Sequence, residues 1–282
     1  MAKRRYSFDE SKLEKFLKEG RGKGHGADYR PWLTIQDVSS IGLSSRILGC
    51  KTGRDHHLLS KGETGLFLLL DWSDSVTDIR EQYPLDREET RRIASEICVR
   101  HPVDAISKTD IVMTTDFLVD VQSDSGNKLF ARSVKIAADL DDARTLDKQE
   151  IERRFWKMKG VDWGIVTDKE LPVQRIKNLQ WLHELYSLHD MTEPHPGYWD
   201  TRCVRFLDCL PRAASMSVNQ FVRLLEDTQG FAVGEALKIL RHLAANKRIS
   251  IDLDVRFDMR GPMNSFSSVA PRLTVQSDKK TA

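Results

Sequence analysis

The fold is decided by the stretch DIVMTTDFLVDVQSDSGNKLFARSVKIAA, Asp110–Ala138. Its residues 114–120 alternate between two faces with the period of two that is typical of a β-strand. A polar turn follows at 122–127, where Gly and Asn tolerate tight backbone bends. The second strand, 128–138, carries Ser133 and Lys135 on one face. The sequence therefore predicts a β-hairpin in which an acid of one strand and Lys135 of the other point at the same substrate phosphate.

The residues of this hairpin match the needs of phosphodiester hydrolysis. That reaction requires neutralised charge on the phosphate, an activated water and a stabilised leaving oxygen. Mg²⁺ is a hard cation that accepts carboxylate and carbonyl oxygens and keeps water. We predict that Asp116 and the Val134 carbonyl hold the metal, and that Lys135 holds the attacking water or stabilises developing negative charge. Asp110 and Asp120 are rival acids, and Asp120 shares the face of Asp116 by its spacing.

A second acid, Glu63, lies in the segment 56–72, which we predict to be the first long core helix. Leu66 and Leu70 belong to its apolar stripe, and Glu63 lies on the same side. An unpaired buried carboxylate is costly, so Glu63 there needs a partner or a metal. A second interpretation remains open, because Ser60 and Glu63 also form a capping box, in which Glu63 only closes the start of the helix.

Length and composition indicate a globular protein of two domains. The chain has 282 residues, of which 40% are apolar and 30% charged, and 44 basic against 42 acidic residues give a net charge of +2. No apolar run is long enough to span a membrane, and the basic N-terminus lacks the apolar region of a signal peptide. The four cysteines match no zinc spacing and indicate free thiols in a reducing prokaryotic cytoplasm.

The segment 20-GRGKGHG-26 interleaves four glycines with cations but lacks the Gly-Lys-Ser/Thr ending of a P-loop. Residues 1–30 hold nine Lys/Arg against five Asp/Glu. Two interpretations are open: a mobile arm that lies along the phosphates of DNA, or merely a flexible linker. On the first interpretation, the candidate DNA-binding residues are Arg21, Lys23, His25, Arg30, His56 and His57.

The order of elements predicts an α/β protein with a helical C-terminal domain. Strands and helices alternate up to about residue 169, which is typical of an α/β core. Helices are then predicted at 172–188, 201–210, 217–228 and 232–246, ahead of a strand at 248–253. This order indicates either a winged-helix module or a small helical domain that docks proteins. We expect a catalytic domain at 1–170, a winged-helix-like partner-binding domain at 171–270 and a flexible tail at 271–282.

Several blocks of the sequence, in this order and spacing, closely resemble the TnsA family. They are KEGRGKGHGADYRPWLT, KTGRDHHLLS, DIREQYPL, TTDFLVD, the Ser-Val-Lys segment, ERRFW and VTDKE. The resemblance covers roughly residues 1–181, whereas the last third matches mainly in size and helical character.

The resemblance implies a fold and an activity. The family has a type II restriction endonuclease-like catalytic domain followed by a winged-helix-like domain. Its members are the endonuclease subunits of heteromeric cut-and-paste transposases, and they cleave double-stranded DNA at the 5′ ends of the transposon with Mg²⁺, for which Mn²⁺ substitutes. The implied partners are the transposase TnsB, which cuts and joins the 3′ ends, and TnsC, an AAA+ ATPase.

By matching positions, the resemblance makes Glu63, Asp116 and Lys135 the catalytic residues. A family member carries glutamine two residues before the lysine, where this chain has Ser133. A hydroxyl is the weaker ligand, so coordination there passes through water or depends on the Val134 carbonyl. Glu152 could compensate as an outer ligand, or it could be a solvated salt-bridge residue.

Two further functions remain as alternatives. The first is a catalytically degenerate adaptor that activates the partner transposase and recruits the AAA+ regulator, and Ser133 is its motivation. The second is a stand-alone restriction nuclease, which the lack of a base-reading helix with a strongly basic face disfavours.

Overall fold

A computed structural model describes residues 7–38, 43–124 and 126–269. The chain divides into two compact units, with the boundary between Leu171 and Pro172. The tail predicted at 271–282 lies outside the described residues. Within the described ranges, no helix has the length and apolar character that crossing a membrane requires.

The first unit contains four helices and six strands among its described residues. They are α1 Glu10–Lys18, β1 Ser45–Leu48, β2 Asp55–Leu58, α2 Lys61–Trp72, β3 Val76–Pro84, α3 Arg87–Glu96, β4 Thr114–Ser123, β5 Gly126–Lys135, α4 Ala143–Met158 and β6 Asp162–Thr167.

The central sheet of this unit has the strand order β3-β4-β5-β6. The predicted hairpin is present as β4 and β5, which pair antiparallel from Phe117 opposite Arg132 to Ser123 opposite Gly126. Strand β6 pairs parallel with β5, and helix α4 makes the crossover that a parallel pair requires. Apolar residues of α3 and α4 pack with the sheet residues Leu118 and Ala131 in one buried cluster. The unit is therefore the mixed α/β structure that the sequence predicts.

The segment 56–72 is not one helix. His56 and His57 lie in β2, which pairs antiparallel with β1 in a separate hairpin. The helix α2 begins only at Lys61, because the Ser60 side chain accepts a hydrogen bond from the Glu63 backbone N–H and caps the first turn. The apolar periodicity predicted the helix itself, but it placed the start of the helix at residue 56 instead of Lys61.

The glycine-rich segment 20–26 follows a hydrogen-bonded path against the unit. The Gly22 N–H donates to the Arg30 carbonyl over 2.6 Å. A Cβ on Gly22 would lie 2.2 Å from Cγ of Pro84, the last residue of β3. Gly22 also has a φ of +77°, which a residue with a side chain rarely adopts. The segment is thus packed on β3 rather than a free linker. No strand follows this segment directly, since residues 34–38 form a turn.

The described part of the second unit is mainly helical. It contains α5 Val173–His183, α6 Tyr198–Cys209, α7 Val218–Thr228, α8 Glu235–Ala245 and the short strands β7 Ile249–Ser250 and β8 Ser267–Ser268. Phe206, Phe221, Leu225 and Ile239 are all fully buried in its core. The four predicted helices are present, whereas the predicted strand at 248–253 is reduced to the two residues of β7, which pair with β8.

Candidate active site

Asp116 and Lys135 meet at one end of the central sheet. The Lys135 ammonium lies 3.2 Å from Asp116 Oδ2 and donates to the Val134 carbonyl over 2.9 Å. The Val134 backbone N–H donates to the same Asp116 oxygen over 2.6 Å. Burial alone would lower the pKa of Lys135, but the carboxylates of Asp116 and Glu152 raise it, so the ammonium stays charged.

The regular pairing of the strands stops where Asp116 lies. The β4–β5 register ends at Phe117 opposite Arg132, one residue short of Asp116. On the other side, Glu81 and Tyr83 of β3 pair with Phe117 and Thr115, and the residues between them are not paired. Because β4 and β5 no longer pair here, the Val134 N–H of β5 donates to the Asp116 carboxylate and not to a backbone carbonyl of β4. The acid is therefore fixed by the sheet itself.

Glu63 approaches the same place from the first turn of α2. Its Oε2 atom accepts the Leu59 backbone N–H over 2.8 Å, and the amide of Gln82 donates to that atom over 3.2 Å. The side chain is buried, and burial together with the Asp116 charge raises the pKa of Glu63 to about 7. Ser60 caps the helix by accepting the Glu63 N–H, and the Glu63 carboxylate lies close enough to Asp116 for the charge of Asp116 to raise its pKa.

A glycine lets α2 approach the sheet this closely. A Cβ on Gly62 would lie 2.7 Å from Cγ1 of Val134, closer than real Cβ contacts come. Val134 is the residue whose backbone binds both Asp116 and Lys135. Gly62 therefore sets the distance between the helix that carries Glu63 and the strand that carries Lys135.

Ser133 and Glu152 do not take the places predicted for them as metal ligands. The Ser133 hydroxyl donates to Glu152 Oε1 over 2.6 Å, and the Thr115 hydroxyl donates to the same atom over 2.7 Å. Both Ser133 and Glu152 are buried, and burial raises the pKa of Glu152. Ser133 pairs regularly with Ile165 of β6 and follows Ala131 by two residues, so alternation places both on the face that packs against α4. Glu152 is thus not a solvated salt-bridge residue, and the charge of Asp116 also acts to raise the pKa of Glu152.

The rival acids are engaged elsewhere. Asp110 lies 3.0 Å from the Arg91 guanidinium and 3.2 Å from His101 Nδ1. Asp120 pairs with the guanidinium of Arg80. Neither contacts Lys135, whose carboxylate partner among the described residues is Asp116.

Comparison with known proteins identifies the family. A model described as TnsA-like endonuclease N terminal matches residues 73–168, and one described as TnsA endonuclease C terminal matches residues 170–253. The chain is 51% identical over 185 residues to the Transposon Tn7 transposition protein TnsA of Escherichia coli. These 185 aligned residues cover 66% of this chain and 67% of that protein. The chain belongs to the TnsA endonuclease family. The resemblance found in the sequence is thereby confirmed.

The acids of this TnsA-family chain fit a divalent cation by the chemistry of their donors. Asp116 accepts its hydrogen bonds on Oδ2, and Glu63 accepts those of Leu59 and Gln82 on Oε2 and also bonds the Ser60 hydroxyl, which acts to lower the pKa of the Glu63 carboxyl. The Val134 carbonyl adds a third hard oxygen at the same end of the sheet. Carboxylate and carbonyl oxygens are the ligands that hard divalent cations take, and a divalent metal is usual for endonucleases of this class.

A second group of potential ligands lies elsewhere in the first unit. One ligand atom each from His25, Asp78 and Asp120 falls within 4.8 Å of the others. The Arg80 guanidinium, however, lies 3.5 Å from Asp78 and pairs with Asp120. Because the guanidinium of Arg80 already bridges both acids, this group is an ion-pair network and a poor metal site.

Two of the residues predicted to bind DNA, His56 and Arg21, pair with carboxylates of the first unit. His56 is fully buried and lies 2.8 Å from Glu81, so its ring is not available to a phosphate. The Arg21 guanidinium pairs with Glu19 at 2.7 Å and with Asp37 at 2.6 Å. A histidine or an arginine that bonds within the protein cannot be told from one at the surface by sequence alone, and these contacts make His56 and Arg21 the least available of the predicted DNA-binding residues.

The other predicted DNA contacts differ in how freely they face solvent. Lys23 is exposed and makes no side-chain contact with the described residues, and His25 is exposed but lies 3.5 Å from Asp78. Arg30 is exposed and donates to a backbone carbonyl over 2.8 Å. His57 is half-buried, and burial lowers its pKa, so it is neutral at pH 7.

Proposed function

We propose that this chain is the endonuclease subunit that hydrolyses double-stranded DNA at the 5′ ends of a transposon, with Mg²⁺ held by Glu63 and Asp116. The observation that carries the proposal is the convergence of Glu63, Asp116 and Lys135 at one end of the sheet, where Lys135 bonds Asp116 and the charges of both residues act on Glu63. The relative from Escherichia coli is a transposition protein, which supports the biological setting.

Each of the three side chains has a role that its surroundings support. Asp116, with Oδ2 fixed by Val134 and Lys135, offers Oδ1 to the metal. Glu63 offers Oε1 from the helix side, and the Val134 carbonyl completes the protein ligands. Bound Mg²⁺ supplies charge neutralisation on the scissile phosphate and a more acidic water. Lys135 stays protonated, so it stabilises negative charge on the phosphate or orients the water rather than taking a proton.

The finer architecture and the partners are part of this proposal. We assign the first unit to the type II restriction endonuclease-like folds and the second to the winged-helix-like folds. Their order of elements and membership of the TnsA family support both assignments. The partners we propose are TnsB, which processes the 3′ ends, and TnsC, the AAA+ ATPase. Mn²⁺ is expected to replace Mg²⁺.

We place contacts to the DNA backbone at the exposed side chains of Lys23, His25 and Arg30, and at the half-buried His57. Phosphate contacts of this kind position the duplex without reading its sequence. Lys23 is the strongest of these candidates, because no described acid neutralises it.

The test is a strand-specific cleavage assay on transposon-end DNA with the partner transposase present. Asp116→Ala should abolish cutting at the 5′ end while the partner still cuts the 3′ end. Retained 5′ cutting by this variant would contradict the proposal. Cutting of arbitrary duplex DNA by this chain alone would instead favour a stand-alone restriction nuclease.

A catalytically degenerate adaptor is the second candidate, and Ser133 is what favours it. That residue, however, donates to Glu152 and leaves the three catalytic candidates in place. Calorimetric titration with Mg²⁺ separates the two functions. A site-dependent heat that Glu63→Ala removes supports the nuclease, whereas equal titrations of the two proteins support the adaptor.

A further inference from the structure

Gln82 has a backbone conformation that its residue type rarely adopts. It lies inside β3 with a φ of +48°, a region in which non-glycine residues are uncommon. Its backbone carbonyl accepts the Trp32 N–H over 3.2 Å, and its side chain is buried. Such strained residues persist when the surrounding structure holds them, and they often lie at functional sites.

The side chain of Gln82 links two strands to the helix that carries Glu63. Its Nε2 donates to Glu63 Oε2 over 3.2 Å, and its Oε1 accepts the Thr114 hydroxyl over 3.2 Å. The direction of this relay follows from chemistry, because an ionised carboxylate can only accept and therefore meets the NH₂ end of the amide. Thr114 then holds the oxygen end, which stops the amide from turning over.

Gln82 also lies at the register position of Asp116. Its neighbours Glu81 and Tyr83 pair with Phe117 and Thr115, so the residue across from Gln82 on β4 is Asp116. One residue thus binds the first catalytic acid and lies opposite the second. It is held there by the positive φ that interrupts the strand pairing at this point.

We propose that Gln82 is a positioning residue for DNA cleavage, whose amide holds Glu63 Oε2 so that Oε1 is presented beside Asp116 for the metal. The inference rests on the proposed function, since it gives Gln82 a role only if Glu63 is a metal ligand. Leu59 N–H and the Gln82 amide together occupy Oε2, and this fixes the carboxylate by two donors from different elements. Groups that orient metal ligands in this way typically change metal affinity by about 10- to 100-fold when they are removed.

Gln82→Gly tests the proposal without disturbing the backbone. Glycine adopts a positive φ readily, so the variant should fold, with a melting temperature lowered by the loss of the buried amide and its two hydrogen bonds. Mg²⁺ titration of the protein without DNA should show an affinity lower by about 10-fold or more. Thr114→Val, which frees the amide to turn over, should lower the affinity in the same direction but less. Lys108→Gly is the matched control, because Lys108 also has a positive φ, +62°, and is exposed.

Cleavage kinetics give the second readout. In the 5′-cleavage assay, Gln82→Gly should raise the Mg²⁺ concentration for half-maximal rate by about 10-fold or more, while saturating Mg²⁺ restores most of the maximal rate. A merely structural role would lower the melting temperature and leave the metal dependence unchanged.

The outcomes separate this inference from the proposed function. If Gln82→Gly binds Mg²⁺ and responds to it like wild type while Glu63→Ala loses binding, the role of Gln82 is wrong and the metal centre stands. If Glu63→Ala also binds Mg²⁺ like wild type, the metal centre itself is wrong, and the role of Gln82 falls with it.

Discussion

The backbone N–H of Val134 donates to the Asp116 carboxylate over 2.6 Å, at the point where β4 and β5 stop pairing. A carboxylate on one strand thus satisfies a backbone group of the next strand. The same Asp116 oxygen receives the Lys135 ammonium at 3.2 Å. Asp116, Lys135 and the end of the sheet are therefore joined through one atom, and the other oxygen of Asp116 is the one that we propose for the metal.

This relationship gives Asp116 a structural and a chemical role that two substitutions separate. Asp116→Asn keeps an oxygen for the Val134 N–H, so the variant should fold with near wild-type stability but lose metal binding and 5′ cleavage by at least about 100-fold. Asp116→Ala leaves that N–H unsatisfied, so it should lose the same activity and also about 1–3 kcal/mol of stability. Urea unfolding and the cleavage assay measure the two effects. Equal stabilities of the two variants would contradict the structural role.

Glu63 should make the metal-free protein less stable as the pH rises. Its pKa is raised from 4.5 to about 7 by burial and by Asp116, so the folded state binds the proton more tightly than the unfolded state. Stability is therefore lost between about pH 4.5 and 7. Glu63→Gln removes this effect and should stabilise the metal-free protein at pH 8 by about 3 kcal/mol, but much less at pH 5. Thermal unfolding in a chelating buffer measures this, and a gain independent of pH would count against the raised pKa.

Gly62→Ala should act against the usual effect of this substitution. In a helix, Gly→Ala normally stabilises by about 0.5–1 kcal/mol. Here the new Cβ would meet Val134 Cγ1, so α2 must move away from β5, at a cost of about 1–3 kcal/mol. Displacing Glu63 should also reduce cleavage. The matched control is Gly62→Ala combined with Val134→Ala, which removes the contacting methyl groups and should recover cleavage. If the double variant is no more active than the single one, this contact does not set the position of Glu63.

Ser133→Ala distinguishes a metal ligand from a buried support. The Ser133 hydroxyl donates to Glu152, so its removal should cost about 1–3 kcal/mol of stability and leave the Mg²⁺ affinity unchanged. Ser75→Ala, at an exposed serine, is the control for the loss of a hydroxyl. A large fall in Mg²⁺ affinity without a loss of stability would return Ser133 to the metal ligands.

The sequence was sufficient for the hairpin, because alternation is a local pattern, whereas the choice of Glu63 and Asp116 as catalytic acids depended on the resemblance to the TnsA family and stays a prediction. Alternation predicted β4 and β5, and the apolar stripe placed Glu63 inward. The hydrogen bond of Ser133 with Glu152 was not foreseen, because alternation gives the face of a strand and not the residue of a distant helix that packs on it. The burial of His56 was missed because β2 has only four residues, too few for a period of two to be told from the start of the helix that follows. Nothing local marks Gln82, since its role depends on a positive φ and on partners from two other elements.

The position of the metal is the most direct test of this account. Crystals soaked with Mn²⁺ would reveal the ion by its anomalous scattering, since Mn²⁺ accepts the same hard oxygen ligands. We expect a peak between the carboxylates of Glu63 and Asp116, beside the Val134 carbonyl, and no peak there in Asp116→Asn. A peak at His25, Asp78 and Asp120 instead, with none at Glu63 and Asp116, would contradict the central claim.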